Sequence, residues 1–267
     1  MDFSLIAGLL VLGAAVGFAA GLLGIGGGMV LVPFMTMLLT AKQFPQEYIV
    51  HMAIATSLAT IMFTSLSSVR AHHARGAVLW PVVKLLVPGI LIGSWIGPWI
   101  GSRMNSSTLA LSFAVFVAFS ATQMLLDKKP AASRSLPNTP GMLGAGGVIG
   151  ALAGLVGAGG GFISVPFMTW CNVKIHNAVA TSAALGFPIA LAGTLSNIYF
   201  GLNASDLPAG SLGFIYVPAL LVISLASVMT APLGAKTAHS LPVKTLKKLF
   251  ALLLYVLAAY MFYKALG

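Results

Sequence analysis

The sequence predicts an all-α polytopic membrane protein, an inverted repeat of two five-segment halves. Of its 267 residues 58% are apolar and only 7% are charged, with a mean hydropathy of +1.00. Long apolar runs fill most of the chain, and one glycine–proline block occurs twice. Because a soluble domain carries about 25% charged residues, this chain cannot cover a water-facing surface. Its short loops leave no room for a soluble catalytic domain, so we expect no enzyme.

Ten apolar runs define the predicted transmembrane segments. They lie at 3–23, 29–41, 49–69, 78–102, 108–126, 141–157, 162–173, 176–200, 211–235 and 245–264. The runs 29–41 and 162–173 amount to only about 18–20 Å of helix, too short for a hydrocarbon core of about 30 Å. We expect these two to be short half-helices after glycine-rich breaks. Whether they cross fully or re-enter stays open.

The basic residues predict which side of the membrane each loop faces. With ten alternating runs, ten Lys and Arg residues fall on one side and three on the other. Because basic loops face the cytoplasm, the polar linker 128–140 is predicted to be cytoplasmic. It separates a first transmembrane repeat, 1–127, from a second, inverted repeat, 141–267. Both termini are then periplasmic, and the N-terminal segment is a permanent helix with no signal-peptide pattern.

An internal repeat is the strongest pattern in the sequence. Residues 21–36 read GLLGIGGGMVLVPFMT and residues 154–169 read GLVGAGGGFISVPFMT, with eleven of sixteen positions identical at an offset of 133. The pattern H-x-A-x-A-T-S follows both blocks, at 51–57 and 176–182. Since each half has an odd number of segments, the second half enters the membrane from the opposite side. Such inverted repeats are characteristic of secondary transporters.

The two glycine-rich breaks predict an anion site. Each precedes a short helix, whose first turn has free N–H groups and the positive end of the helix dipole. Two such helix starts, entering from opposite faces, would converge near the middle of the membrane and bind an anion through backbone groups. The candidate substrate-binding glycines are Gly26, Gly27, Gly28, Gly159, Gly160 and Gly161. The alternative is close helix packing through small residues.

Polar side chains on the helices that follow the half-helices complete the predicted site. The candidates are Thr56, Ser57, Thr60, Thr181, Ser182 and Asn197; alternatively, each bonds to its own backbone or a neighbouring helix. His51 and His176 are predicted near opposite membrane faces as proton-titrating gates, with helix capping as the alternative. Proton coupling would need these histidines or titration of the substrate itself. For Lys84, inside a span, snorkelling towards the membrane surface is the expectation.

Missing residue types narrow the substrate class. None of the four acids lies inside a predicted span, although buried carboxylates are the usual relay in cation transporters. A small anionic substrate is therefore favoured. The lone Cys171 excludes disulfides and Cys-based metal sites, and Met29 and Phe162 stand where a dinucleotide fingerprint needs glycine. We predict no cofactor, no metal and no nucleic-acid partner, because the basic charge is explained by orientation in the bilayer.

The duplicated LLGIGGGMVLVPFM and LVGAGGGFISVPFM blocks resemble those of the sulfite exporter TauE/SafE family, from Gly13 to about Leu254. The resemblance implies a bacterial inner-membrane carrier that exports sulfite or small organosulfonates, with the paired glycines and the Thr-Ser pairs lining its site. Three alternatives stay open: a carrier of another small anion in either direction, an anion channel, or a membrane scaffold. The apolar, lipid-facing helices are also compatible with a homodimer.

Overall fold

The computed structural model describes residues 3–23, 27–126, 135–238 and 243–267, and within these ranges the chain forms ten helices and one two-stranded hairpin. The first half contains α1 (Phe3–Leu23), α2 (Gly28–Ala41), α3 (Ile49–Ala74), α4 (Trp80–Gly101) and α5 (Ser106–Leu126). The second contains α6 (Thr139–Val156), α7 (Gly161–Trp170), α8 (Ile175–Gly201), β1 (Ser211–Leu212), β2 (Ile215–Tyr216), α9 (Val217–Ala238) and α10 (Val243–Leu266). The predicted all-α class is confirmed.

Six helices in the described ranges are long and apolar enough to cross a membrane. They are α3, α4, α5, α6, α8 and Lys248–Leu266 of α10. Shorter apolar helices lie at Ser4–Ala20, Gly28–Ala41 and Val217–Ala231. The helices α3 and α8 are the most buried of the six spans, whereas α4, α5 and α10 expose many large apolar side chains. The protein is therefore polytopic, with α3 and α8 at its centre.

The two short helices occur where the sequence predicts them. They have 14 residues in α2 and 10 in α7, or about 21 and 15 Å of helix. Each follows a glycine N-cap in the left-handed region, Gly27 at φ 65° and Gly160 at φ 75°. Residues with a Cβ disfavour this region, so glycine allows each chain segment to turn sharply into its helix.

The hairpin between α8 and α9 differs from the prediction. The apolar run 211–235 predicts one helix, but its first six residues form the antiparallel pair β1–β2, and α9 begins only at Val217. The turn is built on Gly213, whose φ is 55°, a conformation that glycine adopts readily. The buried side chains of Phe214 and Ile215 explain why the segment is apolar without being helical. At the junction between the two halves, α6 begins at Thr139, inside the predicted linker 128–140. Most of that linker lies outside the described residues.

The most extensive helix contacts occur in corresponding pairs. Under the repeat, α1 to α5 correspond in order to α6 to α10, and the contact of α1 with α9 corresponds to that of α4 with α6. The helices α3 and α8 contact each other, as do α5 and α10, so these helices pack against their own counterparts. A duplicated chain with approximate two-fold symmetry gives this pattern, which supports the predicted repeat. Its inversion across the membrane stays a prediction.

Glycines allow α4 and α6 to approach backbone to backbone. Gly89, Gly93 and Gly97 lie on one face of α4, and a Cβ on any of them would overlap a backbone carbonyl of α6. On α6, Gly146 and Gly150 lie equally close to carbonyls of α4. Close approach through small residues drives helix association in lipid, where apolar surface alone gives no preference. At the repeat offset of 133, Gly13 and Gly17 of α1 occupy the corresponding positions against α9.

Candidate functional site

The two glycine turns meet inside the molecule. Gly28 begins α2 and lies against the carbonyl of Gly157, so closely that a Cβ on Gly28 would overlap that oxygen. Gly157 ends α6 and begins the turn into α7, with φ 70°. The Ser57 hydroxyl donates to the same carbonyl at 2.8 Å. The structure thus brings the glycine segments of both halves together, although Gly26 lies outside the described residues.

Both short helices begin with backbone amides that the helix itself does not use. In α2 the first helical bonds run from the amides of Val30 and Leu31 to the Gly27 carbonyl, at 3.1 and 3.0 Å. In α7 the amides of Ile163 and Ser164 likewise donate to the Gly160 carbonyl, at 3.1 and 2.9 Å. The amides that precede these bonds have no partner within the helix. They belong to Gly28 and Met29 in α2 and to Gly161 and Phe162 in α7. Gly159 lies just before the N-cap of α7. Together with the helix dipole, such amides attract an anion.

The corresponding serines of the two halves make different contacts. Ser57 bonds across to Gly157, whereas the Ser182 hydroxyl lies 2.7 Å from the hydroxyl of Ser164 on α7. All three side chains are buried. Ser164 was not among the site residues predicted from the sequence. The sequence does contain a signal, because Ser164 is a polar residue at the position that Leu31 occupies in the first half-helix.

The two predicted threonines hold the starts of other helices. The backbone amide of Tyr216, just before α9, donates to the Thr56 hydroxyl oxygen at 3.1 Å. The amide of Leu79, just before α4, donates to the Thr181 hydroxyl oxygen at 3.0 Å. Since α4 and α9 correspond under the repeat, these contacts are also counterparts. Each threonine keeps its own O–H hydrogen for another acceptor.

Thr60 and Asn197 use their donors locally. The Thr60 hydroxyl donates to the Thr56 carbonyl at 2.9 Å, and the Asn197 amide donates to the Gly193 carbonyl at 2.8 Å. Bonds of this kind, one turn back along the same helix, are common for polar side chains in membranes. By contrast, the buried Thr194 hydroxyl has no hydrogen-bond partner among the described residues. Thr60 therefore has no hydrogen left for a ligand, whereas Asn197 keeps a second amide hydrogen.

The two predicted gate histidines occupy unlike surroundings. His51 is 4% exposed, and its Nε2 lies 3.0 Å from the Gly101 carbonyl and 3.1 Å from that of Met104, at the end of α4. Its ring packs on Phe214 of the hairpin, with 5.2 Å between the ring centroids. His176 is exposed and makes no hydrogen bond within the described part of the chain. His51 therefore connects α3 with the end of α4 and with the hairpin, whereas His176 lies at the protein surface.

This difference predicts unequal effects on stability. His51→Ala removes the donor for two carbonyls and the stacking on Phe214, and we expect it to destabilise the protein by about 1–3 kcal/mol. His176→Ala, an exposed substitution, should change stability by no more than about 0.5 kcal/mol. Thermal unfolding of both variants in one detergent measures this. Equal unfolding temperatures would contradict the buried role of His51.

The remaining polar candidates lie elsewhere. Lys84 is exposed on α4, in keeping with a side chain that runs along the lipid face to the membrane surface. Within the described ranges, no group of three or more His, Cys, Asp or Glu residues is arranged to hold a metal ion. The arrangement offers hydrogen-bond donation from backbone amides and hydroxyls.

Comparison with known proteins identifies the family. The sequence pattern of the family described as sulfite exporter TauE/SafE matches residues 9–261. A probable membrane transporter protein of Haemophilus influenzae is 40% identical over 264 residues, which cover 98% of this chain and 100% of that protein. The probable membrane transporter protein YunE of Bacillus subtilis is 28% identical over 280 residues, 97% of each chain. No solved structure matches the chain. From the family match and the transmembrane helices, this chain belongs to the sulfite exporter TauE/SafE family of membrane transporters.

Proposed function

We propose that the protein is a secondary carrier that exports sulfite or a related small organosulfonate by alternating access. The observation that carries the proposal is the contact of the two glycine turns, where Gly28 lies against the Gly157 carbonyl. The two half-helices begin at or just after these turns, and their starts offer amides and positive dipole ends to an anion without any charged side chain. The outward direction and the sulfur chemistry rest on the family description.

The acidic residues support an anion without an ammonium group. The acids in the described part of the chain are Glu47 and Asp206, and both lie in loops. An ammonium group would therefore find no carboxylate within a described span, and a buried charge without a partner is costly. A zwitterion such as taurine fits this environment worse than sulfite or sulfoacetate.

The proposal includes a location and a means of coupling. The protein would lie in the bacterial inner membrane with periplasmic termini, as the basic loops predict. His51 would then lie near the periplasmic face and His176 near the cytoplasmic face. Each imidazole would take up a proton as its own side opens, which links substrate export to the proton gradient.

Efflux from liposomes tests the proposal. Purified protein is reconstituted, radiolabelled sulfite is loaded inside, and a pH gradient is imposed. We expect saturable efflux that responds to the gradient, with competition by sulfoacetate and little competition by taurine. Protein-free liposomes are the control. Efflux no faster than in those liposomes for sulfite, sulfoacetate and sulfate would contradict a sulfur-anion carrier, and a current linear in voltage would contradict alternating access.

A further inference from the structure

A pair of buried hydroxyl groups distinguishes the second half of the site from the first. The oxygens of Ser164 and Ser182 lie 2.7 Å apart, and the two side chains are 0% and 2% exposed. Two hydroxyls carry two hydrogens, and the bond between them uses one. Neither serine side chain makes another hydrogen bond within the described ranges. One buried O–H group is therefore left without an acceptor among the described residues.

Other buried hydroxyls in the described helices show how such a hydrogen is usually used. Thr36 donates to the Val32 carbonyl at 2.8 Å, and Ser120 donates to the Phe116 carbonyl at 2.9 Å, each within its own helix. A buried donor without an acceptor costs about 1–3 kcal/mol, and such groups in native proteins are rare. The buried hydroxyls of Thr194 and Ser224 also lack a partner among the described residues. The serine pair differs from them because it lies in and beside the first turn of α7, where its spare hydrogen points to a bound acceptor.

The pair lies beside the start of α7. The amide of Ser164 donates to the carbonyl of the N-cap Gly160 at 2.9 Å, which places Ser164 in the first turn of that helix. The amides of Gly161 and Phe162, which precede the first helical bond, lie in the same turn. A hydroxyl donor and two backbone donors are thus grouped at the positive end of one helix.

The first half lacks this group of donors. Leu31 occupies the position of Ser164 in α2, and the hydroxyl of Ser57, the counterpart of Ser182, already donates to the Gly157 carbonyl at 2.8 Å. Backbone amides are therefore common to both half-helix starts, whereas a hydroxyl group within the first turn of the half-helix belongs to α7 alone. A bound anion would therefore accept hydrogen bonds from different donors at the two half-helix starts.

We propose that Ser164 and Ser182 form a specificity subsite that donates a hydrogen bond to one oxygen of the transported anion. This inference rests on the proposed function and names the groups that select its substrate. A sulfite or sulfonate carries several oxygens, so one can accept from the serine pair while another accepts from a half-helix amide. A halide ion has a single centre and gains less from donors that point from different directions. The pair therefore favours oxyanions over chloride.

Alanine variants of the pair test this inference. Without Ser164, the Ser182 hydroxyl can turn to a carbonyl of its own helix, as most hydroxyls here do. We expect Ser164→Ala combined with Ser182→Ala to raise both Kd and KM for sulfite about 10-fold, the effect of one hydrogen bond to a charged group. The turnover rate should change less, and the preference for sulfite over chloride should fall by a similar factor. The single variant Ser164→Thr, which keeps a hydroxyl, should bind sulfite with wild-type affinity.

Ser120→Ala is the matched control, because the Ser120 hydroxyl is buried in α5 and bonds within its own helix. Its Kd and KM should equal those of the wild-type protein. If the double variant does not fold, Ser182→Cys, with a weak donor of similar shape, should show the same loss. A double variant with wild-type affinity and a wild-type preference for sulfite over chloride overturns the proposed subsite but not the proposed function. A wild-type protein that neither binds nor moves any sulfur oxyanion overturns the proposed function as well.

Discussion

Gly28→Ala is expected to lower sulfite efflux about 10-fold or more in a protein that still folds. The added Cβ would overlap the Gly157 carbonyl and would lie 3.0 Å from the Ser57 hydroxyl and 3.1 Å from Ile61 Cδ1. Because a backbone oxygen cannot rotate away as a side chain does, the two glycine turns must separate. Folding is affected less, since alanine has a higher helix propensity than glycine.

Gly144→Ala is the matched control for this variant. Gly144 is helical like Gly28, but a Cβ there would meet nothing within 4 Å. Its efflux should equal that of the wild-type protein. Initial efflux rates are compared at equal protein content in the liposomes, with a size-exclusion profile of each sample. Wild-type efflux from a folded Gly28→Ala protein would remove the contact of the glycine turns from the mechanism.

The features that follow from local sequence could be predicted. The short apolar runs after GxGGG appear as α2 and α7, because segment length and the need for a positive φ are both visible in the chain. The repeat also predicted which helices correspond. Gly27 and Gly160 show this directly, since both are left-handed N-caps at matching positions.

The contacts between distant residues could not be predicted in the same way. The Thr56 hydroxyl accepts from Tyr216, 160 residues away, through a hairpin that the hydropathy pattern could not separate from α9. Short apolar runs are ambiguous between strand and helix. The Ser164–Ser182 contact depends likewise on how α7 packs against α8. A periodic pattern identifies elements, whereas these contacts depend on the assembled fold.

The histidines show how a repeated motif can differ in its surroundings. His51 and His176 head the same H-x-A-x-A-T-S pattern, yet one is buried and the other is exposed. The residues around them are not repeated: Tyr48 and Phe214 pack near His51, with centroids 6.0 and 5.2 Å from its ring. Identity within a motif therefore predicted their equivalent positions in the helices, but not the difference in their burial.

Gly93→Leu is expected to have the largest effect on stability. A Cβ at Gly93 would already overlap the Gly147 carbonyl and would lie 2.8 Å from the Ala151 amide nitrogen. Leucine adds three more carbon atoms at a point where two backbones touch, so α4 and α6 must move apart. Overpacking by single methylenes costs about 1–3 kcal/mol, and we expect this larger group to exceed about 4 kcal/mol. That is a large part of a typical stability of about 5–15 kcal/mol.

Gly101→Ala, in the same helix, provides the comparison. A Cβ there would lie 3.4 Å from Leu155 Cδ1 and 3.7 Å from Leu109 Cδ1, which are ordinary contacts with mobile side chains. The yield of monodisperse protein and the unfolding temperature in detergent should fall sharply for Gly93→Leu and stay near wild type for Gly101→Ala. Equal stability of both variants would contradict the packing of α4 on α6. Because Gly28→Ala should lose transport while folded and Gly93→Leu should lose the fold itself, the two experiments separate glycines that form the site from glycines that hold the helices together.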